Sequence, residues 1–234
     1  MESGLEQQET DRGESVAKFK AIADSLTIRD SSQFQNQEID YSTKPWRKTL
    51  AERIKKGHGD IVVLIQLGAG ARSDGIVSPS HLDPENLEAW LAYRLPNRIY
   101  GSTWAPIMGK VEERDLKHEF ASLPKLKFGE FIRLVPVLRE EKEEKATAQA
   151  LAPAGFLAKP YLDKDSGRII HVAIKVYPVI PELQERDPTF VAEGDREHSQ
   201  VGWFKLTELP TNQMAEGTRK AIQNALIKLA EIQK

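Results

Sequence analysis

The run Asp60-Ile-Val-Val-Leu-Ile-Gln-Leu67 constrains the chain most, because Ile61–Ile65 is an unbroken aliphatic stretch with no polar face. Side chains branched at Cβ pack well on a pleated surface, so this run reads as a buried strand rather than a helix. It is far too short to cross a bilayer, which takes about 20 apolar residues in a helix. The glycine-rich segment Gly68-Ala-Gly-Ala-Arg-Ser-Asp-Gly75 closes it. Those glycines match neither the G-x-G-x-x-G nor the G-x-x-x-x-G-K-S/T spacing that cradles phosphate, so Gly68 and Gly70 are read as turn residues.

Strand-like and helix-like segments alternate around this run. Residues 1–40 are rich in Glu, Gln, Ser and Asp, with one amphipathic patch at Val16, Phe19, Ile22 and Leu26, and read as a flexible tail or a loosely docked helix. Ser42-Thr-Lys-Pro45 is a helix-start signal, with Trp46, Leu50 and Ile54 following until Gly57 and Gly59. Asp83-Pro84 predicts a second, inserted surface helix carrying Leu87, Trp90, Leu91 and Arg94 to a stop before Pro96. Ile99–Met108 reads as an edge strand or strand end, because Pro106 lies within it. A short helix is expected over Leu116–Leu123, and Phe128–Val135 suits either a strand or a helix.

Two further strands, over Phe156–Leu162 and Ile169–Val176, are joined by the hairpin signal Asp163-Lys-Asp-Ser-Gly167. A polar loop over 179–199 leads to a last strand at 201–206, and Thr218 is expected to cap a helix with Ile222, Leu226, Leu229 and Ile232 on one side. The mixed order predicts an α/β (α+β) sandwich. The domain reading is a tail at 1–40 followed by one domain over 41–234, with insertions at about 69–98 and 116–138.

Composition excludes several functions. The formal charge of −2 gives no general attraction to nucleic acid or acidic membranes, so phosphate binding must be local. With no cysteine, disulfides, thiolate metal sites and cysteine nucleophiles are absent. The first residues, MESGLEQQETDRGES, have neither an apolar signal core nor an Arg-rich transit character, and the expectation is a cytoplasmic, possibly nuclear protein without a membrane partner.

The chemistry concentrates in Val137-Leu-Arg-Glu-Glu-Lys-Glu-Glu-Lys-Ala146. Glu140, Glu143 and Glu144 stand at i, i+3 and i+4, on one helical face. Their repulsion is offset by Lys142 and Lys145, by solvation, or by a divalent cation held between carboxylate oxygens. Arg72, Arg94, Arg98 and Lys110 are cations available to phosphate. Tyr161 and Trp90 are read as free to stack on a base, whereas Trp104, Trp203 and Phe204 fit strand cores. His171, between Ile170 and Val172, either faces a ligand or is a hydrogen-bonded strand histidine.

Taken in order, three segments resemble the Nudix hydrolase superfamily, whose motif is G-x5-E-x7-R-E-U-x-E-E-x-G-U with U aliphatic. Trp104-Ala-Pro-Ile-Met-Gly-Lys-Val-Glu112 is similar to the entry to that motif, and Arg139-Glu-Glu-Lys-Glu-Glu144 matches the polar positions of its R-E-U-x-E-E core. Gly155-Phe156, Arg168–Ile174 and Val201–Pro210 resemble the strands that follow. Departures are Met108 for a glycine, Glu141 in the aliphatic slot, Ala146 for the later glycine and Asp115 for a glutamate. Residues 116–138 make the interval before Arg139 sixteen residues longer than the pattern.

The resemblance implies a Nudix-like mixed β-sheet between helices. It also implies hydrolysis of a nucleoside diphosphate linked to another moiety, or a similar diphosphate, with Mg²⁺ or Mn²⁺. It would make Glu112, Glu140, Glu143 and Glu144 metal ligands, with Glu143 and Glu144 also catalytic, and would have Arg139 orient a motif glutamate. Glu197, in the long loop, would be the general base, with Glu193 and His198 as competitors. Lys110, Arg72 and Tyr161 would bind substrate. The alternative is the same fold with a decayed motif, binding nucleotide, RNA or a protein partner. An isomerase branch that needs a catalytic cysteine is excluded.

Overall fold

The computed structural model describes residues 2–39, 46–69, 82–97, 100–117, 136, 154–177 and 198–233. Its nine described strands, β1 (Phe34–Asn36), β2 (Ile61–Ala69), β3 (Leu87–Arg94), β4 (Trp104–Ala105), β5 (Ile107–Lys110), β6 (Ala154–Leu157), β7 (Tyr161–Asp163), β8 (Arg168–Tyr177) and β9 (His198–Lys205), form one mixed sheet. Helices α1 (Glu2–Ser25), α2 (Trp46–Lys55), α3 (Glu113–Lys117) and α4 (Glu216–Ile232) accompany it. This is an α/β sandwich.

The aliphatic run is β2, at the centre of the sheet. It pairs in parallel with β8 from Ile61 opposite Ile170 to Gly68 opposite Tyr177. Its other edge is shared, with β5 antiparallel along Ile61–Leu64 and β3 antiparallel along Leu67–Ala69. Pro106 stands between β4, which pairs with β3, and β5, which pairs with β2. A residue without an N–H therefore falls where the chain changes partner. The free edge of β8 is shared likewise, by β7 at its start and β6 at its end, and β9 pairs with the outer side of β3.

Alternation along the strands sorts the core into two layers. Val63, Ile65 and Leu67 of β2 pack with Val172, Ile174 and Val176 of β8 and Ile222, Ala225, Leu226 and Leu229 of α4. On the opposite face Val62 and Leu64 join Trp90, Ala92, Ile107, Ala173 and Leu50 of α2 in a smaller cluster. Burying a Leu or Ile side chain fully contributes roughly 1.5–3 kcal/mol, so the larger layer dominates stability.

The N-terminal segment is not a tail. Phe19, Ala23 and Leu26 of α1 are buried in the larger core, Gln223 Nε2 donates to the Ala23 carbonyl, and Ser15 Oγ donates to the Leu82 carbonyl. Beyond α1, Phe34 of β1 meets the Tyr161 ring edge-on at 5.6 Å. The amphipathic patch at Val16, Phe19, Ile22 and Leu26 is the docking stripe, hidden in composition by the polar residues around it.

The segment expected as an inserted helix at 83–94 is a strand within the sheet. Asp83 caps only the 3-10 turn Pro84–Asn86, its carboxylate accepting from the Glu85 N–H, and β3 begins at Leu87. Leu87, Ala89, Trp90, Leu91 and Ala92 are all buried. A strand covered on both faces needs apolar residues at consecutive positions, and such a run contains helical spacing by accident. Thr218 caps nothing: α4 starts at Glu216 with Ala215 in the cap position, and Thr218 is buried inside its first turn. The Asp163–Gly167 hairpin forms as expected, with Gly167 at φ +64°. The expected helix at 116–123 overlaps α3 only at Leu116 and Lys117, and 118–123 lie outside the described residues.

Candidate functional site

The described part of the motif is its entry, and it stands at the end of the sheet where β2 begins. Strand β5 runs antiparallel to β2 and brings Lys110 opposite Ile61. The Val111 N–H then donates to the Asp60 carbonyl at 2.9 Å, and the Glu112 N–H donates to Asp115 Oδ2 at 2.8 Å, which turns the chain into α3. Arg114 Nε donates to Glu112 Oε2 at 2.6 Å. The direction of Lys110-Val111-Glu112 is therefore set by Asp60 behind it and Asp115 ahead of it.

Asp60 is itself held by charge. Its carboxylate is fully buried, with Oδ2 2.8 Å from His171 Nε2 and Oδ1 2.8 Å from Arg53 Nε on α2. Arg168 lies over the same corner, its guanidinium donating to the carbonyls of Gly59 and Gly57, both at 3.1 Å. The fit at Gly59 is close: a Cβ would stand 3.1 Å from the Val111 carbonyl oxygen and 3.2 Å from Ile54 Cγ1, so these neighbours would have to give by a few tenths of an ångström. The end of α2, the start of β2, the end of β5 and the β7–β8 hairpin are thus locked into one corner. Asp60, Arg53 and Arg168 escaped sequence reasoning. Their signal was a charge placed directly before the most apolar run, flanked by glycines.

His171 is the hydrogen-bonded strand histidine of the two options, since its ring is wholly buried against Asp60. Lys110 is exposed. Register puts it on the Ile61 face, which packs toward α1 and α4, whereas Gly109 shares the opposite face with Val62 and His171. Tyr161 is not a substrate platform. It is 2% exposed, on the larger core, with its hydroxyl donating to the Gly217 carbonyl at 2.8 Å. Trp90 is not one either, being 5% exposed and set edge-on to His198. Arg94, considered for phosphate, is buried in β3.

Arg72, Arg139, Glu140, Glu143, Glu144 and Glu197 lie outside the described residues. Strand β2 ends at Ala69, the end of the sheet opposite Lys110. Glu197 directly precedes His198, which pairs with Arg94 where β9 begins. Because β9 is antiparallel to β3 and β3 to β2, β9 begins at the same end as β2. Glu112 and His198, where β9 begins, therefore belong to one end of the sheet, and Ala69, where β2 ends, to the other.

Among the described residues no three His, Asp or Glu side chains converge as a cation site. Asp115, at the glutamate position of the motif, is buried and its carboxylate caps α3. Glu112 is engaged by Arg114. A metal set would therefore rest on the glutamates at 140, 143 and 144.

No family profile matches the chain, and no curated protein matches it. Among solved structures it is similar to the Nudix hydrolase RenU from M. smegmatis, with 12% identity and a TM-score of 0.37 over 72% of this chain and 84% of that one. It is similar to the NUDIX domain of Shewanella oneidensis NrtR, solved with ADP-ribose, with 12% identity and a TM-score of 0.41 over 80% and 99% of the two chains. It also resembles a bifunctional NMN adenylyltransferase/ADP-ribose pyrophosphatase from Francisella tularensis, complexed with AMP and a manganese ion. There the identity is 15% and the TM-score 0.43, over 78% of this chain and 47% of that one. With TM-scores below 0.5, the functional reading rests on this chain's own residues.

Proposed function

We propose that the chain is a Nudix-type hydrolase that cleaves the diphosphate bond of a nucleoside diphosphate linked to another moiety, or of a similar diphosphate. The observation that carries this reading is the locked corner. A central mixed sheet delivers Gly109-Lys110-Val111-Glu112 to one end in a fixed direction, and the sequence then continues to Arg139-Glu140 and Glu143-Glu144. Glu140, Glu143 and Glu144 would hold Mg²⁺ or Mn²⁺, which when bound neutralises charge on the diphosphate and acidifies water. Arg139 would orient one of these carboxylates, and Glu197 would accept the proton of the attacking water. Lys110 would contribute positive charge at the same end of the sheet, and Arg72 would be a further cation for the substrate.

A second reading, a binding module that has lost catalysis, is favoured by Asp115 and Glu112, both already engaged within the protein. One experiment separates the two. Nucleoside diphosphates carrying sugar, nucleoside or alkyl groups are incubated with the protein and Mn²⁺ or Mg²⁺, and nucleoside monophosphate release is followed. Turnover that disappears in Glu144→Gln and Glu197→Gln, with unchanged thermal unfolding, supports the enzyme. No turnover across the set, with Mn²⁺ binding also missing by calorimetry, supports the module.

A further inference from the structure

On the face of the sheet away from the smaller core, a cavity of about 290 Å³ opens where the end of α1 meets α4. Asp24, Leu26, Thr27, Ile28, Ser31, Phe34, Lys220 and Gln223 line it, and it plays no part in the reading above. Lys220 is half-buried there, and its described partner is a neutral amide, Gln223 Oε1, at 3.2 Å. Two other lysines are held by carboxylates. Lys18 lies between Glu14 at 2.9 Å and Glu85 at 3.2 Å, and Lys228 faces Glu231 at 3.3 Å.

We propose that Lys220 is an acylation site of this protein, modified in preference to its ion-paired lysines by small acyl phosphates that enter this cavity. An amine attacks only in its neutral form. A carboxylate neighbour stabilises the ammonium, whereas partial burial beside an amide penalises it. Burial accordingly holds the Lys220 pKa below its ordinary 10.5, while the Glu14 and Glu85 carboxylates raise that of Lys18. The open cavity gives the electrophile a path that burial would otherwise close. In the reaction the Lys220 Nζ lone pair forms a bond to the acyl carbon and the carbon–oxygen bond to phosphate breaks. Inorganic phosphate leaves with the electron pair, and the ammonium proton goes to water. The acylated side chain is neutral, which suits a half-buried position better than the ammonium it replaces.

The full chain is incubated with acetyl phosphate between pH 7 and 10, and site occupancies are followed by mass spectrometry of peptides. Lys220 is expected to be acetylated several-fold faster than Lys228 at pH 7–8, with the ratio falling as the pH rises toward the ordinary lysine range. Gln223→Glu, which places a carboxylate beside the amine, is expected to remove the advantage without changing Lys228. A Lys220 rate equal to or below that of Lys228 at pH 7–8 overturns the proposal. So does a ratio independent of pH, which stays readable should the Gln223→Glu protein fail to fold.

Discussion

Replacing Asp60 with Ala tests the locked corner directly. The carboxylate is hydrogen-bonded to His171 Nε2 at 2.8 Å and stands 2.8 Å from the Arg53 guanidinium, and both Asp60 and His171 are fully buried. Arg53 is a quarter exposed and can turn to water, so the uncompensated group left behind is chiefly His171. Removing one partner of a buried pair costs about 3–5 kcal/mol, and the intact Asp60 backbone carbonyl keeps its bond to Val111. For a chain of this size the melting temperature should fall by ~6–20 °C. Urea unfolding of Asp60→Ala, His171→Leu and the double variant supplies the assay. Because the two side chains touch, the double variant should lose less than the two single losses together, by about 0.5–3 kcal/mol. As a control, Lys228→Ala, which removes an exposed i, i+3 pair with Glu231, should cost no more than about 0.5 kcal/mol. A loss below about 1 kcal/mol for Asp60→Ala, or additive losses in the cycle, would refute the view that this cluster holds the motif entry.

Two other outcomes follow from packing and burial. Phe19→Ala, at a fully buried position of α1, should cost about 3–5 kcal/mol in urea unfolding, whereas a merely tethered tail predicts no loss. Tyr161 has its pKa raised well above 10.0, first by burial and then by the Tyr100 and Asp163 charges. The native state thus resists its ionisation while the unfolded chain ionises near the ordinary value, so stability is present below pH 10 and lost as the pH rises beyond it. Tyr161→Phe forfeits the bond to Gly217, about 1 kcal/mol at pH 7, and that deficit should shrink between pH 10 and 11 in paired unfolding curves. A deficit that grows over this interval would contradict the burial of the hydroxyl.

The strands legible in the sequence were those whose pattern admits one interpretation. Ile61–Leu67 could hardly be anything but a buried strand, and Asp163–Gly167 supplied a turn in which Gly167 adopts the left-handed conformation that glycine favours. Leu87–Arg94 was misread because burial on both faces removes the two-residue alternation that identifies a strand. Residues 2–25 were misread for a related reason. A helix that contributes Phe19, Ala23 and Leu26 to a core needs few apolar residues, and the polar remainder dominates its composition. Tyr161 shows the same limit for side chains. Sequence gives its amphipathic character but not whether its hydroxyl meets a ligand or the Gly217 carbonyl.

For the site, periodicity supplies a face and not a neighbour. Glu140, Glu143 and Glu144 share a helical face by spacing alone, yet nothing in spacing says what that face meets. Asp115 illustrates the difference. It stands one methylene short of the glutamate in the motif, close enough to pass for a shortened ligand. Its carboxylate is nevertheless buried and accepts from the Glu112 N–H, the bond that an acidic residue at the third helical position makes back to the residue before the helix. The residue at the motif's glutamate position thus serves here as a helix cap. Under the proposed hydrolase reading Asp115 is committed to α3 and Glu112 to Arg114, so the carboxylates that would hold a metal are those of Glu140, Glu143 and Glu144.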